Sequence, residues 1–150
     1  MKSNWQKVAL GSDHAGYNLK LDVIKWLIAK DIEFYDFGTF SDDRADYPDF
    51  AHTVAKNVND HKFDAGILIC GSGNGVCMTA NKYVHVRAAL CWNVELTRLA
   101  RLHNDANILC LPGRFIETEE ALKCVETFLT TNFEGGRHTK RVEKISNVIL

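Results

Sequence analysis

The sequence predicts an α/β fold: a doubly wound, five-stranded parallel sheet with helices on both faces, followed by a C-terminal helical arm. Three observations carry this expectation. Five short, nearly continuous apolar runs recur along the chain, as strands buried on both faces require. Stretches with apolar residues at helical spacing separate them, and this alternation implies parallel pairing through crossovers. After Glu134-Gly135-Gly136 the pattern gives way to a polar stretch with one sparse apolar stripe.

Taken in order, the first strand covers Val8–Leu10 and empties into the turn GSDHAG at 11–16. Leu19, Val23 and Leu27, with Ile24 and Ile28, form the stripe of the first helix. Phe34–Phe37 is the second strand. The polar segment Thr39–Pro48, TFSDDRADYP, is either a surface loop or part of a ligand site, because open α/β sheets bind ligands beyond the carboxyl ends of their strands. Asp49 after Pro48 marks the start of a helix carrying Phe50, Val54 and Val58. Ala65–Cys70 is the third strand, running into glycines at 71, 73 and 75 and then a helix-like stretch. Val86–Cys91 is the fourth strand, and Asn93 before Glu95 opens a helix with Leu96, Leu99 and Leu102. Asn107–Leu111 is the fifth, and Thr118 before Glu119 and Glu120 opens a helix with Leu122, Val125, Phe128 and Leu129. In the arm, Val142, Ile145 and Ile149 share one helical face, which needs cover from its own domain or from a neighbouring subunit.

A chain of 150 residues suits one domain, 1–150, in which 136–150 forms the arm. A net charge of −1 gives no pull toward nucleic acid or membrane. No apolar run is long enough to span a bilayer, and MKSNWQKVALGSD does not read as a secretory leader, so a cytoplasmic location is expected. The five cysteines, at 70, 77, 91, 110 and 124, form no C-x-x-C pair and no Cys/His zinc spacing, so no metal site is expected. Cys77, Cys91, Cys110 and Cys124 read as small buried hydrophobes. Cys70 does not, because it faces a turn made almost of bare backbone.

Chemistry-bearing residues collect near strand and helix ends: Asp13 and His14, Cys70, His103 and Asn104, and Arg114. Arg137 and Arg141 stand four apart on the arm, where a helix places both on one face. Known loops are excluded by position. A dinucleotide fingerprint starting at Gly71 needs glycine where Val76 stands, and no Gly-Lys-Ser/Thr sequence exists for a Walker loop. A cysteine-phosphatase loop would carry arginine at the same Val76. What remains at Gly71, Ser72, Gly73, Asn74 and Gly75 is a set of backbone N–H groups and one hydroxyl, suited to a small anion or an oxyanion. Each side chain also has a bland reading: Asp13-His14 as a helix cap, the histidines as surface residues, the arginines as a solvated face.

Seven blocks carry a resemblance: GSDHAG at 11–16, RADYP at 44–48, GILICGSGNG at 66–75, ANK at 80–82, RLHNDAN at 101–107, PGR at 112–114, and EGGRH-x-x-R at 134–141. In this order and spacing the chain resembles the sugar-phosphate isomerase family that includes ribose-5-phosphate isomerase B and the galactose-6-phosphate isomerase subunits. The resemblance implies a Rossmann-like sheet and interconversion of ribose 5-phosphate and ribulose 5-phosphate without a cofactor. It implies Cys70 as the base, where other members have glycine there and a glutamate at the position of Val76. It implies His103, assisted by Asp13, for ring opening, and the 71–75 loop with Ser72 and Asn104 around the oxyanion. His14, Arg114, Arg137, His138 and Arg141 would hold the phosphate and sugar hydroxyls. It further implies a homodimer, or a tetramer of two dimers, with each site built from two subunits. Allose 6-phosphate or galactose 6-phosphate is the alternative substrate. A nucleotide- or phosphate-binding regulatory domain is the alternative from another class, though it would have no need of Cys70 or His103.

Overall fold

The computed structural model describes residues 5–149; residues 1–4, which enter the expectation of no leader, and residue 150, which ends the expected arm, lie outside it. Five strands, β1 (Lys7–Ser12), β2 (Glu33–Asp36), β3 (Ala65–Cys70), β4 (Ala88–Leu90) and β5 (Ile108–Pro112), form one parallel sheet in the order β2-β1-β3-β5-β4. The helices are α1 (Tyr17–Ala29), α2 (Tyr47–Asn59), α3 (Asn74–Ala80), α4 (Val94–Asn104), α5 (Thr118–Thr130) and α6 (Arg137–Ile145). Apolar residues of α1, α4 and α5 pack on one face of the sheet, while those of α2 and α3 pack on the other. The fold is therefore the expected doubly wound α/β sheet.

Every residue of β3 and β5 is buried, which is why both read as unbroken apolar runs. Successive connections leave β1 toward one edge and β3 toward the other. The crevice between the carboxyl ends of β1 and β3 is thus the topological switch point of the sheet. Asp13 and Cys70 stand there.

Several boundaries differ from expectation, each for a local reason. The fourth strand shrinks from Val86–Cys91 to Ala88–Leu90, because side-chain bonds hold its approach: Arg87 N–H donates to Asn107 Oδ1 at 2.7 Å, and Ala88 N–H to Asn81 Oδ1 at 2.9 Å. The second helix starts at Tyr47 behind Asp46, not at Asp49, since Pro48 fits a first helical turn whose N–H groups have no partner anyway. Asn93 is the cap of α4 as expected, its Oδ1 accepting Leu96 N–H at 2.9 Å. Thr118 is the first residue of α5 and Glu117 its N-cap. The leucine stripe of α4 is only half-buried; its buried face is Thr97, Ala100 and Arg101. Ile28 is 64% exposed on the outer side of α1. The arm's helix ends at Ile145, so Ile149 lies beyond it and shares no helical face with Val142.

One interior residue departs from every apolar expectation. Lys20 on α1 is fully buried, its Nζ donating to Thr39 O at 2.6 Å and pairing with Asp36. Burial pulls its pKa below the ordinary lysine value, and the hydrogen bond and charge of Asp36 pull part of the way back. The pair pins the segment after β2 beside the switch point, where Thr39 N–H donates to Ser12 O at 2.8 Å.

Candidate active site

Three turns interlock at the carboxyl edge of the sheet. In the first, Asp13 N–H donates to Ile69 O at 3.3 Å, and Asp13 Oδ1 accepts Gly16 N–H at 3.1 Å. A Cβ on Gly16 would stand 2.4 Å from Ile69 O, so only glycine lets α1 start against the end of β3. Asp13 thus does cap the turn, and its carboxyl group is buried at the switch point.

The second turn holds the thiol. Cys70 is 4% exposed at the end of β3, and its carbonyl accepts Gly113 N–H at 2.8 Å. Gly71 O accepts Arg114 N–H at 3.0 Å, and a Cβ on Gly71 would lie 3.5 Å from both Cδ and Nη1 of Arg114. The guanidinium therefore lies over the bare backbone that follows the thiol. Gly73, at φ +75°, is the N-cap of α3, where a Cβ would strike Leu90 Cδ1 at 2.4 Å. Ser72 Oγ accepts Asn74 N–H at 3.3 Å, which closes the turn. Asn74 and Gly75 belong to the first turn of α3, not to the loop, so their N–H groups point out of a helix start. The third turn, Pro112-Gly113-Arg114, braces the second through these same bonds. Val76 is fully buried against α2 and takes no part in the crevice.

The loop after β2 reaches this edge as well. His14 Nδ1 lies 3.2 Å from Ala45 N and 3.3 Å from Ala45 O, which holds the ring against this loop. The Tyr47 ring covers the glycine turn: a Cβ on Gly75 would fall 2.6 Å from its Cε2 and Cζ. Sequence reasoning missed Tyr47 and Lys20. The RADYP block contained the first as a signal, while Lys20 is indistinguishable in sequence from a solvated helical lysine.

The other expected residues lie elsewhere. His103 and Asn104 end α4, which leaves the carboxyl edge after β4 and runs back toward the amino ends of the strands. There they meet α6: His103 and His138 stack with ring centroids 4.3 Å apart and planes 13° apart. Glu134 Oε2 lies 3.0 Å from His138 Nε2 and 3.8 Å from His103 Nε2, and Glu134 N–H donates to Leu102 O at 3.0 Å. His103, Asn104, His138, Arg141, Val142 and Ile145 line one cavity of about 300 Å³, and the exposed Arg137 opens α6 beside it. At 1.5 Å per residue, the 11 residues of α4 span about 16 Å. The expected kit is thus divided between two edges of one chain.

The remaining thiols behave as their surroundings dictate. Burial pushes Cys91 up to about 11 and raises Cys124 and Cys110 above the ordinary thiol range. Cys77 is only half-buried, its Sγ 3.4 Å from Ala88 O, and a hydrogen bond with Cys110 lowers its pKa.

A doubly wound parallel sheet with a thiol and a glycine-rich turn at its switch point belongs to the α/β class, in which small ligands bind at this crevice. The family model for ribose/galactose isomerases matches residues 8–145, and the chain belongs to that family. Ribose-5-phosphate isomerase B of Escherichia coli is 41% identical over 143 residues, which cover 95% of this chain and 96% of that one. A ribose 5-phosphate isomerase structure from Thermotoga maritima superposes with a TM-score of 0.93 at 49% identity, covering 95% and 98% of the two chains. Ribose-5-phosphate isomerase B of Mycoplasma genitalium, solved with bound ribulose-5-phosphate, gives 0.90 at 45% identity, covering 94% of each.

Proposed function

We propose that this chain is an aldose–ketose isomerase interconverting ribose 5-phosphate and ribulose 5-phosphate, with Cys70 as the base. The observation that carries the assignment of the base is the second turn. It places a buried thiol at the switch point, directly before side-chain-free backbone, with the Arg114 guanidinium lying over it. In the opened aldose, Cys70 Sγ takes the proton from C2, and the electrons move onto the carbonyl oxygen at C1 to give the enediolate. N–H groups of the 71–75 turn and the Ser72 hydroxyl receive the developing oxyanion. The O2 proton passes to O1 within the enediolate, the same sulfur then returns its proton to C1 as the O2 electrons form the ketone at C2, and the ketose leaves with the base regenerated. The carbonyl itself acidifies the neighbouring C–H, so the chemistry calls for no cofactor.

His14, Arg114, Arg137, His138 and Arg141 hold the phosphate and hydroxyls, arginine being suited by its planar fork. His103 opens the furanose ring with Asp13 assisting, and Asn104 contacts the sugar oxygens. Within one chain the second group sits far from Cys70. We therefore assign each active site to two copies, Cys70 and the turns from one and the α4–α6 cluster from the other, in a homodimer.

Removing the base tests the assignment. Cys70→Ala should lose at least about 10²-fold in turnover of ribose 5-phosphate while keeping its fold and its affinity for the product. Retention of most turnover would reduce Cys70 to a buried hydrophobe. Parallel assays with allose 6-phosphate and galactose 6-phosphate set the substrate, and faster turnover of either would replace ribose 5-phosphate in the proposal.

A further inference from the structure

We propose that His103, Glu134 and His138 form a binding site for a divalent transition-metal ion of the zinc type, and that filling it inhibits isomerisation by taking His103 out of use. The inhibitory half rests on the isomerase function above; the binding half does not.

The three groups stand within reach of one ion. Their donor atoms all lie within 4.8 Å of one another. Two ligands each about 2.1 Å from a tetrahedral ion stand about 3.4 Å apart. The Glu134 Oε2 separations, 3.0 Å to His138 Nε2 and 3.8 Å to His103 Nε2, bracket that value.

The decisive feature is His138. Its side chain is only 5% exposed, yet its Nε2 is buried with no hydrogen-bond partner. The nearest oxygen, on Glu134, is close but off the axis of the ring nitrogen. Two ligands of one metal stand in that relation, because each lone pair aims at the ion and not at the other ligand. A buried polar atom left unpaired costs free energy, and a metal bond would remove that cost.

The set is chemically selective. Two imidazoles and one carboxylate suit zinc, cobalt, nickel and copper better than magnesium or calcium, which prefer all-oxygen shells. Three protein ligands leave a fourth position open to water. His138 is held by burial, and the Glu134 backbone is tied to Leu102. The adjustable ligand is His103, 37% exposed, which must swing out of its parallel stack so that its lone pair converges on the ion. Binding would therefore staple α6 to α4 and hold the Nε2 needed for ring opening. All three ligands come from one chain, so the site does not depend on assembly.

The test uses full-length, chelator-stripped protein titrated with Co²⁺, followed by its visible spectrum, and with Zn²⁺ by calorimetry. Co²⁺ should give the visible bands of tetrahedral nitrogen and oxygen ligation without the near-ultraviolet thiolate band that binding at a cysteine would produce. Glu134→Gln and His138→Asn should each weaken the affinity for both ions by at least about tenfold. Cys70→Ser should leave it unchanged. Zn²⁺ should also raise the melting temperature of the wild type but not of Glu134→Gln. Glu134 is exposed, so that variant folds, and its metal-free melting curve checks this directly. A thiolate band, or affinities that neither variant changes, would overturn the site. Turnover should fall along the same Zn²⁺ isotherm and return with chelator. Binding at the site with turnover unchanged or raised would overturn the inhibition alone, and absence of turnover in metal-free protein would overturn the isomerase function alone.

Discussion

In the proposed mechanism His103 and Cys70 act on different bonds of the substrate, so experiment can separate their roles. Ribose 5-phosphate must be opened before it can enolise, whereas ribulose 5-phosphate is open-chain. His103→Asn should lower net conversion of ribose 5-phosphate by about 10²-fold. Exchange of the C1 protons of ribulose 5-phosphate with solvent, followed by NMR, should persist at close to the wild-type rate. If exchange slows as much as conversion, ring opening is not the task of His103. Residues of this kind were legible when they stood in one short turn: Asp13-His14 and the glycines after Cys70 lie within a few positions of each other. Glu134 was not, because it meets His103 across 31 positions and His138 only through a helix that no strand precedes. Lys20 was hidden for a similar reason, its partners, half-buried Asp36 and buried Thr39, lying 16 and 19 positions away.

Elements place these side chains through backbone contacts that tolerate no added atoms. Gly16 is the severest case, where a Cβ would meet Ile69 O at 2.4 Å, and that carbonyl belongs to a central strand unable to yield. Gly16→Ala should cost about 3 kcal/mol in urea unfolding and shift Asp13 away from the crevice. Gly71→Ala is the contrast. Its Cβ would make only ordinary contacts, at 3.5 Å or more, so the change should cost less than about 1 kcal/mol. Equal costs would mean that α1 does not bear on β3 as described. Existence and order of the strands and helices were readable from periodicity, since β3 and β5 are buried on both faces and α2 and α5 have true apolar stripes. Boundaries were less so. Asp46, Pro48 and Asp49 each fit a helix start, and Ile149 keeps helical spacing with Val142 although the helix ends four residues before it.

The whole molecule adds one fact that motif reading passed over. A helix after a parallel strand runs back across the sheet, so residues at its end, such as His103 and Asn104, lie at the edge opposite Cys70. Chain direction contained this signal for His103 and Asn104, whereas the resemblance implied only that each site draws on two subunits. Under the proposed mechanism the division makes a second copy part of the chemistry, and subunit mixing tests that most directly. Cys70→Ala and the double variant Arg137→Ala/Arg141→Ala should each be inactive alone. Once they exchange subunits, each heterodimer would hold one site with both defects and one with neither, and should regain about half of wild-type activity. Heterodimers confirmed by native mass spectrometry that remain inactive would contradict the shared site, and would put the thiol and both arginines in a single chain's site.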